Sequence, residues 1–234
     1  MDPRRALSFG AAAAEYDAAR PSYPAEAVCW AIGDARRVLD LGAGTGKLSG
    51  VVLELGLEAV AVEPDDAMRA LIPAESYAGT AEEIPLPDAS VDAIVVGQAF
   101  HWFDPARALP EMVRVLRPGG SLGMLWNMYD DGVPWVADFC KVWRSEAMRS
   151  LAQVSNDPPY DGPSFGLTVA ERRFFSHAQQ MDRALLATQL RSISQFILLP
   201  EDEREALIAA ALGTAPEGSF VLPHVTDVWR ATKT

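Results

Sequence analysis

Cysteine and histidine are scarce in this chain, 2 and 3 among 234 residues. Cys29 and Cys140 stand far apart, outside any CxxC or Cys/His cluster, and His101, His177 and His224 are just as scattered. That spacing argues against a zinc site and against a disulfide framework. It leaves the cysteines as small apolar residues of a reducing compartment. Long apolar runs are missing too. The Ala11–Ala14 run is cut off by Glu15, and no stretch approaches the roughly 18 apolar residues of a membrane span. Clusters of basic residues are also absent. The net charge is -12, and the positive charge is mostly scattered arginine. A protein that grips a nucleic-acid backbone or an anionic membrane carries a basic face, so neither is expected as a partner. The expectation is a cytoplasmic protein without metal.

What is present suits one folded domain. Apolar residues make up 49% and charged residues 22% of the chain, enough for a packed core. From Val38 the pattern alternates. Val38–Leu41, Glu58–Val62, Ser76–Ala78, Val91–Gly97 and Ser121–Asn127 read as strands. Gly46–Leu55 and Asp65–Leu71 read as helices between them. Asp104-Pro105 opens another as N-cap and N1, with a restart expected at Pro110. Arg117-Pro118-Gly119-Gly120 reads as a turn. Strand–helix alternation at this spacing predicts a mostly parallel α/β sheet with helices on both faces. Strands such as "DAIVVGQ" are apolar throughout, as strands covered on both faces are. After Asn127 the rhythm changes to a long helix (133–151), a Pro/Gly/Asp loop (155–165), a strand (170–178), helices at 182–193 and 201–212, and a last strand (220–230).

The stretch "VLDLGAGTGKLSG", Val38 to Gly50, carries the chemistry. A phosphate-binding Walker loop needs four residues between its glycines and a hydroxyl after the lysine. Here three residues separate Gly42 from Gly46, and Leu48 follows Lys47. A dinucleotide fingerprint, G-x-G-x-x-G, fits Gly42 and Gly44 but meets Lys47 at its sixth position, which weakens a nicotinamide reading without removing it. What remains is Asp40-x-Gly42-x-Gly44-x-Gly46, a tight turn beside a carboxylate. It suits a ligand with positive charge better than a pyrophosphate. Glu63, twenty-one residues after Gly42, ends the second strand, where a carboxylate can accept both hydroxyls of a ribose.

Together "VLDLGAGTGKLS", "AVEPDDAM", "GTAEEIPLPDASVDAIVVGQAFHW" and "RVLRPGGSLGMLWN" resemble the class I S-adenosylmethionine-dependent methyltransferases, and more closely their type 11 and trans-aconitate-methyltransferase-like branch. The resemblance runs from about residue 5 to 230. It implies a Rossmann-like sheet of seven strands with a helical cap, in one domain. Its parts would be an N-terminal lid (1–33), a cofactor-binding core (34–128), a cap insertion (129–167) and the C-terminal part of the sheet (168–234). It implies S-adenosylmethionine as cofactor and S-adenosylhomocysteine as product. Gly42, Ala43 and Gly44 would line the cofactor, and Asp40 would support the loop and the ligand's ammonium. Glu63 would hold the ribose, while Pro64 and Met68 would lie against the adenine. Thr80, Ala81 and Glu82 would approach the adenine edge, with Thr80 where the family often has Asp. Gln98 would lie near the methionine end.

Methyl transfer from a sulfonium is an in-line displacement, so most of the work is alignment. A base is needed only for a protonated nucleophile. His101, in "QAFHWFD", titrates in the right range to be that base or to orient substrate. Tyr16 and Arg20, four apart on one helix face, Trp102 beside His101, and Asn127 at the end of the fifth strand are the candidate substrate contacts. Trp126, Trp135 and Trp143 suggest an aromatic cap. The acceptor implied is a small molecule methylated at a carboxylate or a hydroxyl, by a monomer or homodimer. The rival readings are a nicotinamide-dependent oxidoreductase and a protein that binds S-adenosylmethionine without transferring its methyl.

Overall fold

The structure is a computed structural model that describes residues 19–143, 160–197 and 199–234. Tyr16 and most of the expected N-terminal lid helix lie outside the described residues. So does the stretch 144–159 of the long helix and loop.

Helix α1 (Ala25–Ile32) leads into β1 (Arg37–Leu41), α2 (Lys47–Glu54), β2 (Glu58–Val62), α3 (Asp66–Arg69), β3 (Glu75–Tyr77) and β4 (Val91–Gly97). A 3-10 turn (Phe100–Trp102), α4 (Pro105–Val115), β5 (Leu116–Tyr129) and α5 (Pro134–Trp143) follow. Past a second 3-10 turn (Gly162–Phe165) come β6 (Glu171–Met181), α6 (Arg183–Arg191), α7 (Ser194–Ile197), α8 (Glu201–Thr214) and β7 (Phe220–Thr232).

The strands form one sheet in the order β3-β2-β1-β4-β5-β7-β6. Neighbours from β3 to β5 are parallel, while β7 runs antiparallel to both β5 and β6. The sheet is the expected one. Alternation along each strand divides the core. Leu39, Val60, Ile94 and Val96 face α4 residues such as Leu109 and Met112 on one side. Val38, Val95 and Leu125 face Val28 of α1 and Val51 and Val52 of α2 on the other. A third cluster joins Phe139 of α5, Leu186 and Leu190 of α6 and Ile208 of α8 to Phe220 and Leu222 of β7.

The chain moves outward from β1 through β2 to β3 and then crosses back to β4 and β5. The sheet therefore has a switch point between β1 and β4, and the crevice beyond their carboxyl ends is where open α/β sheets bind ligands. The glycine turn follows β1 there, and Gln98 follows β4.

Two local expectations need correction. Arg117–Gly120 does not leave the sheet as a turn. It lies within β5 as an irregularity, with Val91 opposite Leu116 and Ala93 opposite Ser121. A bulge absorbs the extra residues while flanking pairing keeps its register. Pro110 does not restart its helix either, since α4 runs through it. Ala106 and Pro110 are exposed, so water can serve the carbonyl that Pro110 cannot pair, and buried Leu109 and Met112 hold the helix down.

Candidate active site

The glycine turn is hooked onto β2: the Gly42 and Ala43 N–H groups both donate to the Val62 carbonyl, at 2.9 and 3.2 Å. Gly42, Gly44 and Gly46 have φ of 70°, 58° and 85°, the left-handed region that side chains disfavour. At Gly42 space is short as well, because a Cβ there would come within 2.9 Å of Ala99 Cβ and 3.1 Å of Phe103 Cζ. Gly46 has no side chain with which to cap α2, and Asp40 supplies the cap from β1. Its buried carboxylate accepts from the Ser49 N–H at 2.8 Å and the Ser49 hydroxyl at 2.7 Å. Burial pushes the Asp40 carboxyl up to about 6, with a smaller push from the Glu63 carboxylate, against the pull of the Ser49 bonds.

Glu63 joins the two loops at the edge of the crevice. Its Oε2 accepts from the Gly44 N–H at 2.8 Å and its Oε1 from the Asp65 N–H at 2.9 Å. Burial raises its pKa, and those two bonds oppose the rise. Asp65 then caps α3, accepting from the Ala67 and Met68 N–H groups at 2.9 and 3.0 Å. That cap sets Met68 against the turn, with its Sδ 4.0 Å from where a Gly44 side chain would begin. Met68 is buried and Pro64 is exposed. Ala81 is packed into the core, while Thr80 is exposed and bridged to Glu83. The Glu82 carboxylate accepts from the Asp104 N–H at 2.8 Å, so it ties the loop after β3 to the start of α4.

At the end of β4, Gln98 holds a φ of 56°, uncommon for a residue with a side chain. Its backbone N–H donates to Leu125 and its amide to the Asn127 carbonyl, both at 2.9 Å. Asn127 donates to the Ser22 carbonyl at 3.1 Å and accepts from the Thr226 hydroxyl at 2.6 Å. It thus links the segment before α1 to β5 and β7. Arg20 is the other expected substrate contact of this segment. Its guanidinium donates to the Ser192 hydroxyl and carbonyl at the end of α6, at 3.1 and 3.0 Å, which fastens the N-terminal segment to the C-terminal helices.

His101 lies on the 3-10 turn after β4, with its ring 4.9 Å from that of Trp102. The side chain reaches solvent, yet the surrounding protein still disfavours its imidazolium and lowers its pKa. Trp102 is half-buried against the α4 side of the core. Of the cap tryptophans, Trp126 packs half-buried on the same core and Trp135 lies edge-on to Phe220 at 5.4 Å, while the Trp143 side chain lies outside the described residues.

The sequence reading missed Tyr23 and Phe103. Tyr23 sits under the expected methionine end, where a Cβ on Gly97 would meet its hydroxyl at 2.5 Å. The signal was present as a lone glycine closing the valine-rich β4, a place where something must approach the backbone.

This sheet order, with a glycine turn at its switch point and a buried carboxylate at the end of β2, is the Rossmann-like methyltransferase fold. Residues 39–124 match the family model described as a methyltransferase domain. An uncharacterized methyltransferase of Mycobacterium tuberculosis is 41% identical over 97% of this chain and 96% of its own length. One from Schizosaccharomyces pombe is 32% identical over 84% and 82%. A solved structure described as a type II methyltransferase from Anaeromyxobacter dehalogenans superposes with a TM-score of 0.69 at 22% identity, covering 90% of this chain and 97% of that one. The chain belongs to the class I S-adenosylmethionine-dependent methyltransferases. Among the described residues, no helix is long and apolar enough to cross a membrane.

Proposed function

We propose that the crevice between β1 and β4 binds S-adenosylmethionine and aligns its methyl group with a small-molecule acceptor that enters under the N-terminal segment and the C-terminal helices. The observation that carries this reading is the placement of two buried carboxylates around the glycine turn. A pyrophosphate would sit at the N-terminus of α2. Here Asp40 already takes the Ser49 N–H at that terminus, and its charge would repel a phosphate. Glu63 suits a vicinal diol, because each oxygen accepts one backbone N–H and keeps a second acceptor position for a ribose hydroxyl. The residues present therefore fit an adenosyl group better than a nicotinamide dinucleotide.

When bound, S-adenosylmethionine supplies a methyl on a sulfonium and leaves as the neutral thioether S-adenosylhomocysteine. The chain's own part is to bind and to aim. In this reading Gly42, Ala43 and Gly44 present backbone to the methionine part, and Asp40 holds the loop and draws the ammonium. Pro64, Met68, Thr80, Ala81 and Glu82 border the adenine, and Gln98 fixes the β4 end of the methyl site. His101, kept neutral at pH 7 by its lowered pKa, can accept a hydroxyl proton or orient the acceptor. The transfer needs no metal, and the acceptor oxygen is that of a carboxylate or a hydroxyl. We read the chain as one cytoplasmic domain with the lid, core and cap described above, acting as monomer or homodimer.

Calorimetric titration with S-adenosylhomocysteine, with NADH in parallel, tests the cofactor. Micromolar binding of the first, lost in Glu63→Ala, with no heat from NADH, is the expected result. NADH binding alone would overturn it. Transfer of radiolabel from S-adenosylmethionine to any acceptor separates an enzyme from a protein that only binds the cofactor.

A further inference from the structure

At the antiparallel end of the sheet, three polar atoms are buried without a hydrogen-bond partner among the described residues: His177 Nε2, His224 Nε2 and Gln179 Oε1. His224 of β7 lies opposite Tyr129 of β5 on one side and opposite His177 of β6 on the other. The two imidazoles stack with centroids 5.2 Å apart and planes 23° off parallel, and the Tyr129 ring lies 5.3 Å from His224. Gln179 is two residues along β6, on the same face. His224 is only 2% exposed. Unpaired polar groups at this depth are rare and call for an explanation.

The Gln179 amide nitrogen donates to the Ala19 carbonyl at 3.2 Å, which leaves Oε1 as an acceptor in need of a donor. Each Nε2 accepts or donates according to its ring tautomer, so the group that suits all three atoms is one that can do both. Burial pushes the Tyr129 phenol well above its usual range against a smaller opposing pull from the Arg20 guanidinium, and that positive charge makes the site a poor one for a second cation. A carboxylate has no proton to give. A neutral hydroxyl both donates and accepts, and the half-buried Tyr129 ring, backed by Phe139 at 5.1 Å, offers apolar surface for its carbon frame.

Position connects this cluster to the methyl site. Asn127, bonded to Gln98 and to Thr226, is two residues from Tyr129, and Thr226 is two from His224. Two residues of strand span about 7 Å and one strand spacing about 5 Å, within the length of a small molecule. The cluster also lies at the carboxyl end of β5, where ligands of such sheets enter.

We propose that His224, with His177 and Gln179, forms the distal subsite of the acceptor pocket and binds a neutral hydroxyl group of an acceptor that carries an aromatic or similarly apolar frame. The subsite rests on the function proposed above. It anchors the acceptor at the end away from the methyl, so its residues position substrate and do not take part in transfer.

The test uses the full chain with labelled histidine, whose three ring signals are simple to assign. With S-adenosylhomocysteine at saturation, 4-methylphenol is titrated while the His177 and His224 ring signals are followed. Its methyl ether, 4-methylanisole, and 4-methylbenzoate serve as comparisons. The phenol should shift both signals, and both comparison compounds should bind at least about tenfold more weakly. His224→Asn keeps a group at the Nδ1 position and removes Nε2. It should weaken phenol binding by about tenfold, with S-adenosylhomocysteine affinity unchanged, and His224→Gln should restore most of the loss. If His224→Asn does not fold, His177→Leu on the half-exposed edge strand gives the same comparison with a smaller loss. No shift at either histidine, equal binding of phenol and ether, or preference for the benzoate would overturn the subsite. Failure of the wild-type chain to bind S-adenosylhomocysteine would instead strike the proposed function and take the subsite with it.

Discussion

The parallel and antiparallel halves of the sheet bury polar groups under different terms. In the parallel half, Asp40 and Glu63 are buried and both are bonded by backbone N–H groups of the loops they organise. In the antiparallel half, Asp227 is buried and paired with Arg172 through two bonds of 2.8 and 2.7 Å, yet the Nε2 atoms of His177 and His224 are buried with no partner among the described residues. The first arrangement is complete without a ligand, as a binding frame that is largely pre-formed should be. The second leaves hydrogen-bonding capacity open. A glycine turn that serves one cofactor can be finished by the chain itself, whereas a pocket that discriminates among acceptors keeps its specific atoms for the acceptor.

The sharpest way to break this contrast is Glu63→Ala, which removes two loop bonds and the proposed ribose acceptor together. Affinity for S-adenosylhomocysteine should drop by at least about a hundredfold in calorimetry, at roughly two charged hydrogen bonds' worth of free energy. An unchanged affinity would detach the turn from cofactor binding. In the antiparallel half, Arg172→Ala leaves Asp227 buried and unpaired, which should cost about 3–5 kcal/mol in denaturant unfolding. Its effect on S-adenosylhomocysteine affinity should be small, because the pair stands on β6 and β7, away from the turn.

A finer test concerns Asp40. Its folded pKa, about 6, lies above its ordinary value of 3.8, so the folded chain holds the proton more tightly than the unfolded one. Stability therefore falls as pH climbs from 3.8 to about 6 and stays lower above that range. Asp40→Asn should remove that dependence and gain up to about 3 kcal/mol above pH 6, while the difference closes toward pH 4. If Asp40 also draws the ammonium of the cofactor, the same variant loses affinity as it gains stability. A gain in both would confine Asp40 to capping α2. The smallest effect belongs to Arg37→Ala. The Arg37–Glu58 ion pair joins β1 to β2 at an exposed edge, and its loss should change stability by less than about 1 kcal/mol.

Much of the parallel half was legible along the chain. Strands β2 and β4 and the Asp104 cap of α4 appear with the bounds their residues suggested, because fully apolar strands and a Pro at N1 are local signals. The Pro118-Gly119-Gly120 bulge and the continuous α4 were not legible. Local breaker residues were overruled there by pairing with β4 and by burial of Leu109 and Met112. Asp40, Gly42, Gly44 and Glu63 could be named as a set because one turn and one strand end bring them together.

Sequence alone was enough for the α/β alternation, the glycine turn with its two carboxylates, and the family to which they belong, since these depend on neighbours within a few residues or on fixed spacing between strands. Only the tertiary structure decided which distant side chains meet. Arg20 was bound to Ser192, Tyr23 was brought under Gly97, and His177 was stacked on His224. The last contact follows from the pairing of β6 with β7. Cross-strand register is set by the burial of whole faces, which no single stretch of the chain records.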